Sequence, residues 1–313
     1  MSKEDKAWTR LQLIEWTADF LRQKGIESAR LDAEVLLAHV LGTTRLDLYV
    51  HYDEPVGSEA LTRYREAVSR RAKREPLKYI LGYTEFLSFR LVVDRRVLIP
   101  RPETELLAER AIALLRRELP PGRKTVVDVG TGSGCLAVAI AKDLPDVLVH
   151  ATDTSADALE VARTNAHELG VQDQVLFHQG PFLEPVAELV GQVHLVVSNP
   201  PYVSEVEAQT LEPELGHEPR HALVAGPTGL EVIAPLVAAA PELLTDGGVL
   251  LLEIGAGQAA ELRQLIGANS NYESHAFHRD YADIERIVEA RRASRSSGGR
   301  GASSVPADGR QST

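Results

Sequence analysis

The chain has 313 residues, 44% of them apolar and 25% charged, with a formal net charge of -11. That length allows one large or two ordinary globular domains, and the acid excess sets the overall field against nucleic acid and anionic membranes. A single cysteine, Cys135, rules out an intramolecular disulfide and suits a reducing, cytoplasmic compartment. The start Met1-Ser2-Lys3-Glu4-Asp5 is polar and has no export-type apolar stretch behind it. No apolar run approaches the roughly 20 residues that cross a bilayer, so no membrane association is expected.

The N-terminal third reads as helices. Leu11, Leu13, Ile14, Phe20 and Leu21 recur at helical spacing and Gly25 closes the run. Ser28 is placed to cap a second helix, carrying Leu31, Val35, Leu36 and Val40 and stopped by Gly42. A short piece follows over Leu46 to Val50, then a turn at Pro55-Val56-Gly57, then a basic helix from Ser58 to Lys73 with Arg63, Arg65, Arg70 and Arg71. That helix is either a solvated face or a docking surface for a protein or RNA partner. The bundle carries no catalytic cluster, so its expected role is recognition.

From Pro76 to Pro102 the pattern turns to period two. Glu85–Val93 and Arg96–Ile99 read as the two arms of a hairpin with Asp94-Arg95 at the turn. Pro102-Glu103 then looks like a helix start, continued by Leu106, Leu107, Ile112 and Leu115. Arg101, Glu103 and Glu105 either dress that N-terminus or wall a substrate pocket.

From Thr125 strands and helices alternate, the mark of a mostly parallel α/β sheet. Thr125–Val129 runs into Gly130-Thr131-Gly132-Ser133-Gly134 and a helix, and the next strand, Val147–Thr152, ends at Asp153. Glycines let the backbone lie against a ligand, and an acid about 20 positions on can grip a ribose diol. Cys135 stands where a dinucleotide loop of the G-x-G-x-x-G/A kind needs Gly or Ala, and no triphosphate-binding P-loop is present. The pattern Asp128-x-Gly130-x-Gly132-x-Gly134 resembles instead the cofactor loop of class I S-adenosylmethionine-dependent methyltransferases. That resemblance implies that the loop passes the methionine end of the cofactor and that Asp153 holds its ribose. Cys135 reads as a small buried apolar residue. After a third strand near Gln174–Phe177, Gly180-Pro181-Phe182 stands where many such enzymes carry an acid for the adenine amine. Here backbone groups at Pro181 and the Phe182 ring would flank the purine. His178 and His194 read as structural, and no His, Cys or carboxylate spacing suggests a metal.

The fourth strand, His194–Ser198, delivers Asn199-Pro200-Pro201-Tyr202. Proline keeps Asn199 out of the α region and neither proline can donate to the ladder. The chain thus leaves the sheet as a stiff, acceptor-rich ledge at a strand's C-terminal end, where open α/β sheets place ligands. The Asn199 oxygen and the Pro200 carbonyl can accept both N–H bonds of a planar amide or aniline-type amine, and Tyr202 can pack on its face. The irregular stretch from Tyr202 to about Gly226 suits a lid or binding loop, and its acids, Glu212, Glu214 and Glu218, either serve that loop or only face solvent. Gly229–Leu244 and Gln258–Ile266 read as helices, Gly248–Ile254 as a buried strand, and Tyr272–Phe277 with Ile284–Glu289 as a closing antiparallel pair.

The ledge, the segments Glu75–Gly82 and Leu98–Glu105, Glu218-Pro219 and Leu252–Gly255 closely resemble the PrmC/HemK family of release factor glutamine methyltransferases, over about residues 8 to 290. The resemblance implies methylation of the glutamine side-chain amide in the Gly-Gly-Gln loop of peptide chain release factors. S-adenosyl-L-methionine would be the donor, S-adenosyl-L-homocysteine the product, and no metal is needed. It implies that Gly130, Thr131, Gly132, Ser133, Gly134 and Asp153 hold the cofactor, that Asn199 touches both cofactor and glutamine, and that Pro200, Pro201 and Tyr202 line the substrate site. From the residues themselves, Asp128 and Pro181 are expected to join the cofactor site, Asn199 and Pro200 to be catalytic, and Arg101 and Glu103 to be the further candidates for the substrate site. The expected architecture is α/β: a class I Rossmann-like sheet, mostly parallel with a C-terminal antiparallel strand, behind a small helical bundle and a hairpin. Its expected parts are a helical substrate-recognition domain over 1–83, a hairpin linker over 84–102, the methyltransferase domain over 103–291 and a disordered tail over 292–313. A monomer is expected, with a release factor as its protein partner and no direct nucleic-acid binding. Two other functions fit the ledge less well: a nucleic-acid amino methyltransferase, and a cofactor-binding protein without catalysis.

Overall fold

The structure, a computed structural model, describes residues 8–119 and 122–294. Helix α1 (Arg10–Gln23) starts at a capping box: Thr9 Oγ1 accepts from the Gln12 N–H and Gln12 Oε1 from the Thr9 N–H. Helix α2 (Ala29–Leu41) ends at Gly42 in the left-handed region. Ser28 precedes it but makes no capping bond; its hydroxyl donates to Asp32 Oδ1 (2.8 Å). Helices α3 (Arg45–Val50) and α4 (Ser58–Ala72) complete a bundle filled by Ile14, Leu21, Leu36, Leu37 and Tyr64. Much of the basic charge of α4 and the turn after it is paired within the molecule. Arg71 is buried and donates to Asp32 Oδ2 (2.6 Å) and Glu214 Oε1 (3.0 Å), Arg74 to Glu214 Oε2 (2.7 Å), and Arg70 to both oxygens of Glu75.

The next segment differs from its expected pattern. Leu77–Leu81 form a short helix, α5, closed by left-handed Gly82. The hairpin pairs β1 (Tyr83–Phe86) with β2 (Phe89–Val92), Phe86 opposite Phe89, so the turn lies at Leu87-Ser88. Arg96–Ile99 is not a strand. Leu87 sits at φ +51, outside the comfort of a branched residue, and its N–H is held by Glu105 Oε1 (2.9 Å).

Helix α6 (Pro102–Ala113) runs into one π-helical turn, Leu114–Glu118. Then follow β3 (Lys124–Val129), α7 (Cys135–Asp143), β4 (Val147–Asp153), α8 (Ala156–Glu168), β5 (Val175–Gln179), β6 (Val193–Ser198), β7 (Val203–Ser204), α9 (Arg220–Leu223), β8 (Val224–Gly226), α10 (Ile233–Leu243), β9 (Leu244–Glu253), α11 (Ala259–Gly267), β10 (Tyr272–Arg279) and β11 (Glu285–Arg292). Seven strands form one sheet in the order β10-β11-β9-β6-β3-β4-β5. Neighbours are parallel except that β11 runs antiparallel to both β9 and β10. Alternate side chains point to opposite faces. Val126, Leu195, Val197 and Leu251 therefore meet α6 and α7 on one face, while Val127, Val196, Leu250 and Leu252 meet α10 and α11 on the other. Arg292, where the tail is expected to begin, instead ends β11, is buried and donates to Asp246 Oδ1 (2.6 Å); the rest of that segment, 295–313, lies outside the described residues.

The stretch after Tyr202 is more ordered than expected. β7 and β8 pair in parallel, and short 3-10 turns occupy Glu207–Gln209 and Pro213–His217. Glu214 and Glu218 are not solvent dressing. Glu214 ties the stretch to α4, and buried Glu218 accepts from the Ile99 N–H (3.1 Å) and the Arg101 guanidinium (2.6 Å). Among the described residues no helix is long and apolar enough to cross a membrane.

Candidate active site

β6 lies beside β3 in parallel, Asp128 opposite Val197, so the ledge leaves the sheet next to the glycine loop. The Ser198 hydroxyl donates to the Val129 carbonyl (2.6 Å), tying the two strand ends together. Gly130 and Thr131 both donate to the Thr152 carbonyl, at 2.9 Å each. Gly132, at φ +55, turns its N–H onto Asp153 Oδ2 (2.9 Å), and Asp153 Oδ1 accepts from the Ser155 N–H (2.9 Å). Buried Asn165 supports the loop from below: its amide donates to the Ser133 carbonyl (2.8 Å) and the Val92 carbonyl (3.0 Å), and its oxygen accepts from the Val92 N–H (2.7 Å). Asn165 joins hairpin, α8 and loop, and no local pattern in the sequence marks it.

A cavity of about 230 Å³ opens here, lined among others by Gly130, Gly132, Asp153, Gly180, Pro181 and Asn199. Pro200 and Pro201 also line it; Arg101, Glu103 and Tyr202 do not. Arg96, Val97 and Leu98, which the sequence reading put in a strand, form one wall, and His221 and Ala222 of α9 form another. Asp128, Thr131 and Ser133 are buried and do not line the cavity. Gly134 caps α7 at φ +81, where a Cβ would stand 3.1 Å from the Ala162 Cβ. Gly134→Ala is expected to lower stability by about 2 kcal/mol, from left-handed strain plus this contact, read as a lower urea midpoint.

Asp128 is fully enclosed. Its Oδ2 accepts from the Thr131 hydroxyl (2.7 Å) and the Ala137 N–H (3.2 Å), whereas Oδ1 has no partner. Burial pushes this carboxyl up to about 7, with the nearby Asp153 charge adding to the rise. An unfolded aspartate ionises near 4. Between about 4 and 7 the folded state therefore keeps a proton that the unfolded state has lost, and stability falls as pH rises through that window. Asp128→Asn should flatten this fall, as followed by thermal unfolding at a series of pH values. Burial also pushes the Cys135 thiol up, which leaves it an inert packing group.

On the ledge, the Asn199 amide nitrogen donates to Thr104 Oγ1 (2.9 Å). The Thr104 hydroxyl in turn donates to Glu253 Oε2 (2.7 Å), and the Tyr202 phenol to Glu253 Oε1 (3.3 Å). Among the described residues nothing donates to Asn199 Oδ1 or the Pro200 carbonyl. Burial pushes the Glu253 carboxyl up to about 7 and raises the Tyr202 phenol as well. The two histidines are accounted for by structure: His194 Nδ1 accepts from the Thr125 N–H (3.1 Å), and His178 stacks on His150. Among the described residues no group of three or more His, Cys, Asp or Glu could hold a metal ion.

The residues fit a nucleoside-bearing cofactor. A Cβ built on Gly130 meets nothing within 4 Å, so the loop backbone faces open space that a ligand can fill. The acid Asp153 lines the cavity together with the apolar Val97, Leu98, Ala158 and Phe182. This sheet order, glycine loop and strand-end ledge define a class I methyltransferase. Residues 12–82 match the PrmC N-terminal domain and 108–227 the methyltransferase small domain. The chain is 40% identical over 294 residues to the release factor glutamine methyltransferase of Rhodopirellula baltica, covering 93% of this chain and 99% of that one. It is 43% identical to that of Chlorobaculum tepidum, covering 90% and 97% of the two chains. The chain belongs to the release factor glutamine methyltransferase family. In overall fold it is also similar to the hMettl16 catalytic domain solved with a MAT2A 3′UTR hairpin, at TM-score 0.53 and 13% identity, covering 88% of this chain and 90% of that one.

Proposed function

We propose that this chain transfers a methyl group from S-adenosyl-L-methionine to the side-chain amide nitrogen of the glutamine in the Gly-Gly-Gln loop of peptide chain release factors, acting as a cytoplasmic monomer. The observation that carries the reading is the free Asn199 oxygen on a proline-stiffened ledge beside the glycine loop, in a chain of this family. The glycine loop and Asp153 would hold the cofactor, which supplies an electrophilic methyl group.

The chain's own part follows from amide chemistry. An amide nitrogen is a poor nucleophile because its lone pair is delocalised into the carbonyl. Asn199 Oδ1 and the Pro200 carbonyl accept its two N–H bonds and fix it in line for attack. They also stabilise the positive charge that grows on nitrogen. Two prolines hold these acceptors in place, so little reorganisation is needed, and alignment of this kind contributes up to about 7–11 kcal/mol in the best intramolecular cases. No dedicated base is required, since the surplus proton can leave after transfer.

The nucleic-acid alternative loses support from the pairing of Arg70, Arg71 and Arg74 inside the molecule. Incubation with labelled cofactor and either a release factor or RNA tests the reading. Label on the Gly-Gly-Gln glutamine, located by peptide mass spectrometry, is the expected result. Label on RNA alone, or cofactor binding without turnover on either, would overturn it.

A further inference from the structure

Asn199 has a task that depends on which way round its carboxamide sits. Its two ends are almost equal in size, so packing cannot choose between them and hydrogen bonding must. The end facing the substrate has to be the oxygen, because an NH₂ there would set donor against donor. Only one side-chain bond among the described residues restrains it, from Nδ2 to Thr104 Oγ1 (2.9 Å).

Thr104 could in principle present either a proton or a lone pair to Asn199. The choice is made one residue further back. A hydroxyl carries a single proton, and that of Thr104 is committed to Glu253 Oε2 (2.7 Å). Thr104 can then only accept, which draws the NH₂ end of Asn199 towards it and leaves Oδ1 free. The Tyr202 phenol, donating to Glu253 Oε1 (3.3 Å), holds the carboxylate from its other side. Thr104 and Glu253 are buried and neither lines the cavity.

We propose that Thr104 and Glu253 are positioning residues for methyl transfer, a hydroxyl–carboxylate relay that holds the Asn199 carboxamide with Oδ1 rather than Nδ2 presented to the incoming amide nitrogen. The inference rests on the reading of this site as one that methylates an amide. It also gives the buried acid a purpose, since a carboxylate enclosed without an ion-pair partner costs stability.

The relay depends on the charge of Glu253. The groups facing it are Glu103 and the Thr104 hydroxyl on α6, the Tyr202 phenol on the ledge, the neutral Cys135 thiol on α7 and Arg286 on β11. Burial dominates among these influences and pushes the carboxyl up to about 7. Once protonated, Glu253 can itself donate to Thr104. The threonine proton is then released, and Asn199 is free to turn over. Turnover should therefore fall on the acid side of that midpoint.

The test compares wild type with Thr104→Val, Thr104→Ser and Glu253→Gln, using single-turnover methylation of a release factor and cofactor affinity by calorimetry. Thr104→Val should lower the transfer rate by about tenfold or more while cofactor affinity stays within about twofold, as loss of a transition-state contact without loss of ground-state binding requires. Thr104→Ser, which keeps the hydroxyl, should restore the rate. Glu253→Gln should slow transfer and abolish the acid-side fall. A Thr104→Val rate equal to wild type overturns the relay, as does a Glu253→Gln enzyme that keeps both the wild-type rate and the acid-side fall. If Thr104→Val does not fold, Glu253→Gln decides, because it replaces a buried acid by a neutral group of the same shape.

A second readout needs no substrate. The Asn199 side-chain amide signal in nitrogen-resolved NMR, identified by its loss in Asn199→Ala, should titrate with Glu253 in wild type and Thr104→Ser but not in Glu253→Gln. That titration without methylation of any release factor by wild type would sink the functional reading and leave the relay standing. Methylation with an Asn199 signal indifferent to these substitutions would do the reverse.

Discussion

Asn199→Ala is expected to cut the rate of methyl transfer by about 10³-fold while changing cofactor affinity by no more than about tenfold. The size follows from removing one preorganised electrostatic partner of a charge that develops only in the transition state, typically about 10²–10³ in rate. It sits at the upper end because the side chain also orients an otherwise unreactive nitrogen. The fold should survive: Asn199 has one side-chain hydrogen bond, to a threonine that retains Glu253 as a partner. Rapid-quench transfer under saturating cofactor, with calorimetry alongside, separates the two effects. A variant that turns over at the wild-type rate would remove Asn199 from the chemistry.

Asp153→Ala should act on cofactor binding, with the opposite kinetic signature. Asp153 is the acid at the end of β4, and its two oxygens accept from the Gly132 and Ser155 N–H groups. Removing it frees the glycine turn and deletes the group assigned to the ribose. Hydrogen bonds to a charged group contribute about 1.5–3 kcal/mol each, and a net loss of about 2.7 kcal/mol corresponds to about 100-fold weaker cofactor binding. Transfer at saturating cofactor should drop far less. Cofactor affinity within about threefold of wild type would instead assign Asp153 to loop architecture alone, since even one such bond exceeds that difference.

Strands buried on both faces announce themselves. The runs Leu195–Val197 and Val249–Leu252 are continuous and β-branched or leucine-rich, Val126–Val129 is broken only by Asp128, and each forms a central strand. The glycine loop and the ledge were equally legible, because backbone demands on Gly and Pro are local. The hairpin turns at Leu87-Ser88 rather than at Asp94-Arg95 for a tertiary reason. Leu87 is no turn former, and its left-handed conformation is imposed by the distant Glu105 carboxylate. Arg96–Ile99 alternates like a strand yet finds no partner and walls the cavity instead. Thr104, Asn165, Glu218 and Glu253 each act through a partner far along the chain, so spacing could mark them as polar but not as related. The helix after Pro76 escaped notice because five residues are too few to show a period.

The separation between Thr104 and Glu253, 149 positions, carries a consequence for biosynthesis. A ribosome extending at about 5–20 residues per second releases the glycine turn and Asn199 well before β9 has emerged. For about 1–4 s after Val232, the last residue on the donor pocket, has been added, the nascent enzyme still lacks the buried acid proposed to set its amide acceptor. Competence therefore arrives late and all at once, with closure of the sheet, and a chain truncated ahead of Glu253 would be an incomplete catalyst even with every glycine in place.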